Sequence, residues 1–399
     1  MTVIKLLSML SYQDLNKIAS ASKALYVFSH NPDVWRNLTL ETFGGDFTFT
    51  GNWKTTFGTR LLGDKFPGHV PLRVENLFSD VLFSPWMRAT MTIRNAWLKR
   101  DNIDRRSNLS LEEFVEKYEK PGRPVIITDV IPTRPAQEAW AKETLLRRFG
   151  DVKFRVSATV DMTLDRFADY CSKASEERPL YLFDKSFCSS CPEMDKEYST
   201  PIYFQDDLMR LVPAEIRPDY RWLLYGPARS GSSFHVDPNA NFAWNALIWG
   251  RKKWIFYPPD QVPPGVELTS DGGMQQTEFS LLEWFENYYP QTKEGYRPLE
   301  CLTTGGELLY VPKGWWHCVL NVDDSLAIAT NCVTRYNLLD AVDYLQQASR
   351  AQSEYRTDDG DVPTSVIYPS PLLPSRPAVA ATTASSCASD ASAAAAVAA

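Results

Sequence analysis

The feature that most constrains this chain is a pair of histidine motifs that lie far apart in the sequence. The first is His235-Val236-Asp237, and the second is Gly314-Trp315-Trp316-His317. In an extended strand, residues two apart point to the same face, so the side chains of His235 and Asp237 can aim at one point. We therefore expect a fold in which a neighbouring strand brings His317 to that point.

Two histidines and one carboxylate on one face of a metal ion leave the opposite coordination positions open. This ligand set suits non-heme Fe(II) in oxygenases. His235, Asp237 and His317 are therefore candidate metal ligands. The alternative is that the histidines are ordinary core residues and that Asp237 is a turn residue before Pro238. The three residues together, in this order and with these neighbours, favour the metal site.

Composition excludes some classes of protein and favours others. The formal charge is −7, from 42 basic and 49 acidic residues, whereas a general nucleic-acid binder usually carries a basic excess. The seven cysteines are scattered and odd in number, so no disulfide framework is expected and a reducing compartment is favoured. We find neither a signal peptide nor a stretch as long as a membrane span, which predicts an intracellular protein.

Residues 1–45 are predicted to be helical, because leucines and other apolar residues recur at three- and four-residue steps up to the break at Asn31-Pro32. One interpretation is a small helical cap on the main domain. The other rests on a resemblance to the F-box family in the Leu-rich first helix, in Ser11 to Leu15 and in Asn31 to Leu38. The usual Leu-Pro start of that family is missing here. The resemblance implies a Skp1-type adaptor as partner.

The rest of the chain divides by composition into four predicted segments. Residues 46–108 form a connector rich in Gly, Pro and aromatic residues, whose large rings predict that it packs on the core. Residues 109–335 contain many short strand-like runs with turn signals, which predicts a sandwich or barrel. Residues 336–356 are predicted to form a helix. Residues 357–399 are dominated by Pro, Ser, Thr and Ala and are expected to be disordered.

Four motifs resemble the JmjC family of oxygenases, in the branch that contains a nuclear lysyl hydroxylase and arginine demethylase. They are Phe234 to Pro238, Ala243 to Leu247, Gly250 to Trp254, and Gly305 to His317. The resemblance implies an α+β fold with a double-stranded β-helix of the cupin or jelly-roll type. It also implies Fe(II) held by His235, Asp237 and His317.

The same resemblance implies 2-oxoglutarate as cosubstrate and suggests which residues contact it. A buried cosubstrate carboxylate must be neutralised, because an unpaired buried charge is unfavourable. Lys252 can supply the charge, although the adjacent Lys253 is an alternative. By resemblance, Tyr181, Ser232 and Asn245 surround the cosubstrate with hydrogen-bonding groups.

These residues predict a protein oxygenase that acts on lysyl side chains of a Lys/Arg-rich protein substrate. N-methyl-lysine or N-methyl-arginine demethylation uses the same site and is the first alternative. A second alternative, from a different class, is an F-box ubiquitin-ligase adaptor that uses the JmjC domain only for recognition. The family resemblance favours the nucleus over the cytoplasm.

Overall fold

The computed structural model describes residues 3–131, 138–157, 160–268, 274–275, 279–293 and 298–354. The predicted disordered segment 357–399, which includes Cys387, lies outside the described residues. The other six cysteines are all buried, and among the described residues they form no disulfide bond.

The helices follow one another in chain order as α1 to α14. Their bounds are Val3–Leu7 (α1), Tyr12–Ala19 (α2), Lys23–Ser29 (α3), Pro32–Phe43 (α4), Trp53–Leu62 (α5), Asp80–Thr90 (α6), Asn95–Leu98 (α7), Leu111–Phe114 (α8), Lys142–Phe149 (α9), Leu164–Lys173 (α10), Phe187–Ser190 (α11), Pro192–Glu197 (α12), Leu281–Asn287 (α13) and Leu338–Glu354 (α14). Helix α8 continues as a π-helix over Val115–Glu119.

The strands are numbered β1 to β15 in the same way. Their bounds are Asp104–Arg106 (β1), Val125–Ile127 (β2), Lys153–Val156 (β3), Val160–Thr163 (β4), Leu182–Asp184 (β5), Arg221–Gly226 (β6), Gly231–His235 (β7), Phe242–Trp249 (β8), Arg251–Tyr257 (β9), Glu267–Leu268 (β10), Met274–Gln275 (β11), Leu299–Thr304 (β12), Leu308–Val311 (β13), Trp316–Asn321 (β14) and Ser325–Cys332 (β15).

The chain forms two compact units. Among the described residues, the first unit comprises residues 3–91 and 160–177, and the second comprises 92–131, 138–157 and most of the chain from 178 to 354. The predicted domain boundaries at residues 45 and 108, and the packing of the connector on the core, stay predictions.

The first unit begins with short helices that polar side chains cap. The Ser11 hydroxyl accepts a hydrogen bond from the backbone N–H of Asp14, and the Asn31 side chain does the same for Asp33. Asn31-Pro32 therefore starts α4 rather than only ending a helix, because Pro is well tolerated in the first helical turn. Trp35 and Phe57 pack edge to face in the core of this unit.

The second unit contains two main sheets and a two-stranded antiparallel sheet formed by β10 and β11. Within it, the larger sheet has the strand order β1-β2-β13-β8-β15-β6-β5-β3, and the smaller sheet has the order β12-β9-β14-β7. Neighbours in the smaller sheet are antiparallel, as are β8, β13 and β15 in the larger one. Strands that are distant in sequence, such as β7 and β14, are thus neighbours in space.

The two sheets pack face to face over a shared apolar core. Ile126, Leu309 and Val311 from the larger sheet contribute to one buried cluster together with Trp254 and Phe256 from the smaller sheet. In the regular stretches of these strands, inward residues alternate with outward ones, as expected for a β-sandwich. This architecture confirms the predicted α+β fold with a jelly-roll core.

The predicted elements of this unit are present with small shifts at their ends. The run Leu308 to Val311 forms β13, and the predicted C-terminal helix is α14. In the described part of the chain, no helix combines the length and the apolar character needed to cross a membrane.

Candidate metal and cosubstrate site

The two antiparallel strands β7 and β14 bring the candidate metal ligands together. His235 ends β7, and its cross-strand partner on β14 is His317. Their ring centroids lie 4.1 Å apart. Asp237 follows two residues after His235, and the ligand atoms of all three side chains lie within 4.8 Å of one another. The three residues named from the sequence therefore converge on one point.

Backbone carbonyls fix the orientation of both imidazole rings. Nδ1 of His235 lies 2.8 Å from the Ser233 carbonyl oxygen, and Nδ1 of His317 lies 3.0 Å from that of Trp315. Because a carbonyl oxygen only accepts, each Nδ1 carries the proton and donates it. Nε2 of each ring is left with a free lone pair, which is the usual arrangement of metal-bound histidine.

The Asp237 carboxylate is buried without a full set of partners. Its Oδ2 atom has no hydrogen-bond partner among the described residues. Burial raises the pKa of Asp237, while His235 and a hydrogen bond from Asn331 act to lower it. Burial also holds the pKa of His317 well below its usual value, which keeps the ring neutral. An unsatisfied carboxylate beside two imidazole lone pairs fits a divalent cation.

A buried cationic pocket lies on the interior face of the same sandwich. The side chain of Lys252, on β9, is 1 % exposed, and its Nζ lies 3.0 Å from the Tyr181 hydroxyl. Burial lowers the pKa of Lys252 to about 7 and raises that of Tyr181. Within the described ranges, no carboxylate forms an ion pair with Lys252, and a buried ammonium group of this kind fits an anionic ligand.

The structure separates the two adjacent lysines that the sequence left as alternatives. Lys253 points to the opposite face of β9, where its Nζ lies 2.7 Å from Glu300 Oε2 and 2.7 Å from the Arg100 carbonyl oxygen. Both side chains of the Lys253–Glu300 pair are fully buried. Only Lys252 therefore faces the interior with Tyr181.

Ser232 reaches the interior face through an irregularity in β7. The strand pairing shifts so that Val319 opposes Ser232, although His317 opposes His235. Strand β7 thus holds one more residue than β14 over this stretch, and Ser232 and His235 share a face although they are three residues apart. Gly231 lets the backbones of β7 and β14 approach closely at this point, because a Cβ atom there would lie 2.0 Å from the Val319 carbonyl oxygen.

Asn245 lies on the interior face of the larger sheet. It is 6 % exposed and stands between Leu309 of β13 and Ala329 of β15. Ser232 and Asn245 are therefore contributed by different sheets of the sandwich.

Two polar residues of the site, Asn321 and Asn331, were missed by the sequence analysis. Asn321 is the cross-strand neighbour of Lys252 and donates a hydrogen bond to Ser230 at 2.9 Å. Asn331 donates to Asn241 at 2.9 Å and supports Asp237. The alternation along β14 could have indicated Asn321, since it lies four residues after His317 and so on the same face.

Comparison with known proteins assigns the family. The cupin-like domain matches residues 110–333. The arginine-specific demethylase JMJ22 of Arabidopsis thaliana is 41 % identical over 364 residues, which are 90 % of this chain and 72 % of that protein.

Two further relatives match shorter stretches. The bifunctional arginine demethylase and lysyl-hydroxylase psr-1 of Caenorhabditis elegans is 34 % identical over 60 % of this chain and 63 % of its own length. The human 2-oxoglutarate and iron-dependent oxygenase JMJD4 is 32 % identical over 53 % of this chain and 54 % of its own length. The chain thus spans less than two thirds of these two relatives.

The sandwich and its histidine–carboxylate cluster define a cupin-like protein with a candidate site for a divalent metal. The chain belongs to the cupin-like domain family, among the JmjC oxygenases that use Fe(II) and 2-oxoglutarate.

Proposed function

We propose that the protein oxidises a C–H bond in a basic side chain of a protein substrate, with His235, Asp237 and His317 as the iron ligands. The observation that carries this proposal is the convergence of these three side chains, with ligand atoms within 4.8 Å of one another. When bound, iron and 2-oxoglutarate supply an oxidation in which dioxygen, 2-oxoglutarate and a C–H bond give a C–OH group, succinate and carbon dioxide.

The chain's own residues bind and orient the reactants. The ammonium group of Lys252 and the hydroxyl of Tyr181 are suited to hold the remote carboxylate of the cosubstrate. Ser232, Asn245 and Asn321 offer further hydrogen bonds from the interior face. The buried aromatic rings of Trp254 and Phe256 beside His317 exclude water from the reacting groups.

Two reactions on basic side chains are compatible with this site. Hydroxylation of a lysyl carbon leaves a stable alcohol, whereas hydroxylation of an N-methyl carbon leaves a hemiaminal that releases formaldehyde. The relative psr-1 carries both activities in its name. The match to an arginine-specific demethylase over 90 % of this chain supports the second reaction as well. The two differ only in which C–H bond the protein positions.

Mass spectrometry distinguishes these outcomes. We would incubate the full chain with Fe(II), 2-oxoglutarate and a library of Lys/Arg-rich peptides, with and without N-methyl groups. Gain of one oxygen on a lysine supports hydroxylation, and loss of a methyl group supports demethylation. If no library peptide increases succinate release and no peptide is modified, the proposal of a basic protein substrate is contradicted.

Cosubstrate affinity is expected to depend on pH through Lys252. Burial lowers the pKa of this lysine to about 7 in the free protein, and an anion binds its protonated form. Raising the pH from 7 to 8.5 should therefore weaken 2-oxoglutarate binding roughly tenfold. The KM for 2-oxoglutarate measured across this range tests the prediction. The Lys252→Met variant should lack this pH dependence.

We also propose that the helices of residues 1–45 bind a Skp1-type adaptor. Val3, Leu6 and Met9 support this, since they are large apolar residues exposed by 44 %, 47 % and 61 %. A Skp1 pull-down with the full chain and with Leu6→Glu tests the proposal. If the full chain does not retain Skp1, the proposal of a Skp1-type partner is wrong.

Nuclear location is the accompanying proposal, and it rests on the resemblance to a branch that contains a nuclear lysyl hydroxylase and arginine demethylase. The basic residues of the stretch 94–106 do not add to it, because Arg94, Arg105 and Arg106 each form an ion pair with a carboxylate. Imaging of the tagged full chain would decide between nucleus and cytoplasm.

A further inference from the structure

A cavity of about 240 Å³ lies in the second unit, outside the cosubstrate pocket. Its wall includes Glu119, Gly122, Tyr310, Thr334 and Tyr336. This volume is several times the roughly 30 Å³ that one water molecule occupies, and it is below the ~300 Å³ at which pockets for whole small ligands begin. A single side chain of a bound peptide matches this size.

The cavity contains a buried carboxylate. Glu119 ends the π-helix after α8 and is 8 % exposed. The Thr334 hydroxyl donates to its Oε1 atom at 2.6 Å. Burial raises the pKa of Glu119. Within the described ranges, no lysine, arginine or histidine forms an ion pair with it, so its charge lacks a cationic partner.

The cations around Glu119 already have carboxylate partners of their own. Lys120 pairs with Glu116, Lys313 pairs with Asp340, and both lysines line the cavity. Arg335, whose charge also acts on Glu119, pairs with Asp206. Glu119 is therefore the carboxylate of this cavity that has no ion pair among the described residues. The cavity wall also accommodates a cation, because the Lys120 ammonium group lies 5.6 Å from the centroid of the Tyr336 ring.

Hydrogen bonds connect the cavity to the segments that carry the candidate metal ligands. Trp315, two residues before His317, donates through Nε1 to the Gly122 carbonyl oxygen at 2.9 Å. Asn337, which also lines the cavity, donates to the Ala240 carbonyl oxygen at 2.9 Å, three residues after Asp237. The cavity thus lies at the end of the sandwich where these ligands converge.

We propose that this cavity is a subsite for a basic side chain of the protein substrate, with Glu119 as its specificity-determining residue. The subsite takes an ammonium or guanidinium group next to the residue that is oxidised. This inference rests on the proposed function for its choice of a basic protein substrate. It adds a recognition site that is separate from the reacting centre.

Peptide binding to the metal-free protein tests the subsite without any turnover. The probes are synthetic peptides of alternating Gly and Arg or Gly and Lys, with a Gly–Gln peptide as neutral control, and isothermal titration calorimetry measures the affinity. We expect Glu119→Gln to weaken binding of the basic peptides about tenfold, because Gln keeps the shape and the Thr334 hydrogen bond but lacks the charge. Binding of the neutral peptide should not change.

Glu112→Gln is the matched control, since it removes the same charge from an exposed site two turns away that does not line the cavity. It should bind basic peptides as the wild type does. Tyr336→Ala, at a residue 41 % exposed, provides a second variant that should fold, and it should weaken binding severalfold. Equal binding by Glu119→Gln and wild type would overturn the subsite, as would an equal loss in Glu112→Gln or no binding by wild type.

A third variant separates this inference from the proposed function. His317→Ala should abolish turnover and keep affinity for basic peptides. If wild type binds the peptides through Glu119 but shows no turnover, the oxygenase proposal fails and the subsite stands. If turnover occurs and Glu119→Gln leaves KM for the peptide unchanged, the subsite fails and the oxygenase stands.

Discussion

Replacing Asp237 with alanine is expected to remove iron binding and to reduce turnover by more than about 100-fold, beyond the 10- to 100-fold loss typical of an outer-shell partner. The physical reason is that the two imidazoles alone leave a dication without the negative charge that Asp237 supplies. Succinate release and bound iron measured on the purified variant test this expectation.

Two further measurements separate a lost ligand from a damaged fold. Asp323→Ala, which removes an exposed carboxylate paired with Arg251, should keep full turnover, because such surface pairs contribute only ~0–1 kcal/mol. Added Mn(II) should raise the melting temperature of wild type and of Asp323→Ala, but not of Asp237→Ala, because only a native-state ligand stabilises the fold. Full turnover by Asp237→Ala would refute the metal site.

Replacing Lys252 with methionine is expected to raise the KM for 2-oxoglutarate by at least about 30-fold. Removing one partner of a buried charge pair costs about 2–5 kcal/mol, since the other charge stays buried and unpaired. Without cosubstrate, the variant should be no less stable than wild type, because burial already disfavours the charged form of this lysine. Initial rates at varied 2-oxoglutarate, together with melting curves, measure both effects.

The adjacent residue provides the matched control. Lys253→Met removes the same charge and takes away the 2.7 Å partner of the buried Glu300, which keeps Arg100 at 3.5 Å and the Tyr289 hydroxyl at 3.0 Å. This should lower the free energy of unfolding by up to about 3–5 kcal/mol. At a temperature where this variant is folded, its KM for 2-oxoglutarate should stay near that of wild type. The assignment of Lys252 would be wrong if the two variants raised KM equally.

The sequence was sufficient to predict the jelly-roll core and to nominate the residues of the site. Short apolar runs separated by Gly and Pro predict the strands of the jelly roll. The two-residue period of a strand predicts that His235 and Asp237 point to the same side. The sequence does not show that His317 lies opposite His235, because this depends on the pairing of β7 with β14 in the tertiary structure.

Other features depend on pairing details that no local pattern records. The alternation of a regular strand would put Ser232 on the face opposite His235, and only the extra residue in β7 reverses this. Asn321 and Asn331 have no motif, since asparagine is common in turns and its role here follows from its cross-strand neighbours. Similarly, Glu119 belongs to an ordinary-looking helical run, and its burial arises from residues more than 200 positions later.

The ion pair on the outer face of β9 has a consequence for the fidelity of assembly. Consecutive lysines would let this strand slip by one position and still present an ammonium group to the interior. Such a slip would put Lys253 in the place of Lys252 and Trp254 in the place of Lys253, so the buried Glu300 would lose its close ion pair. Glu300 thus helps to fix the register of β9, and mispairing of this strand should increase when its charge is neutralised.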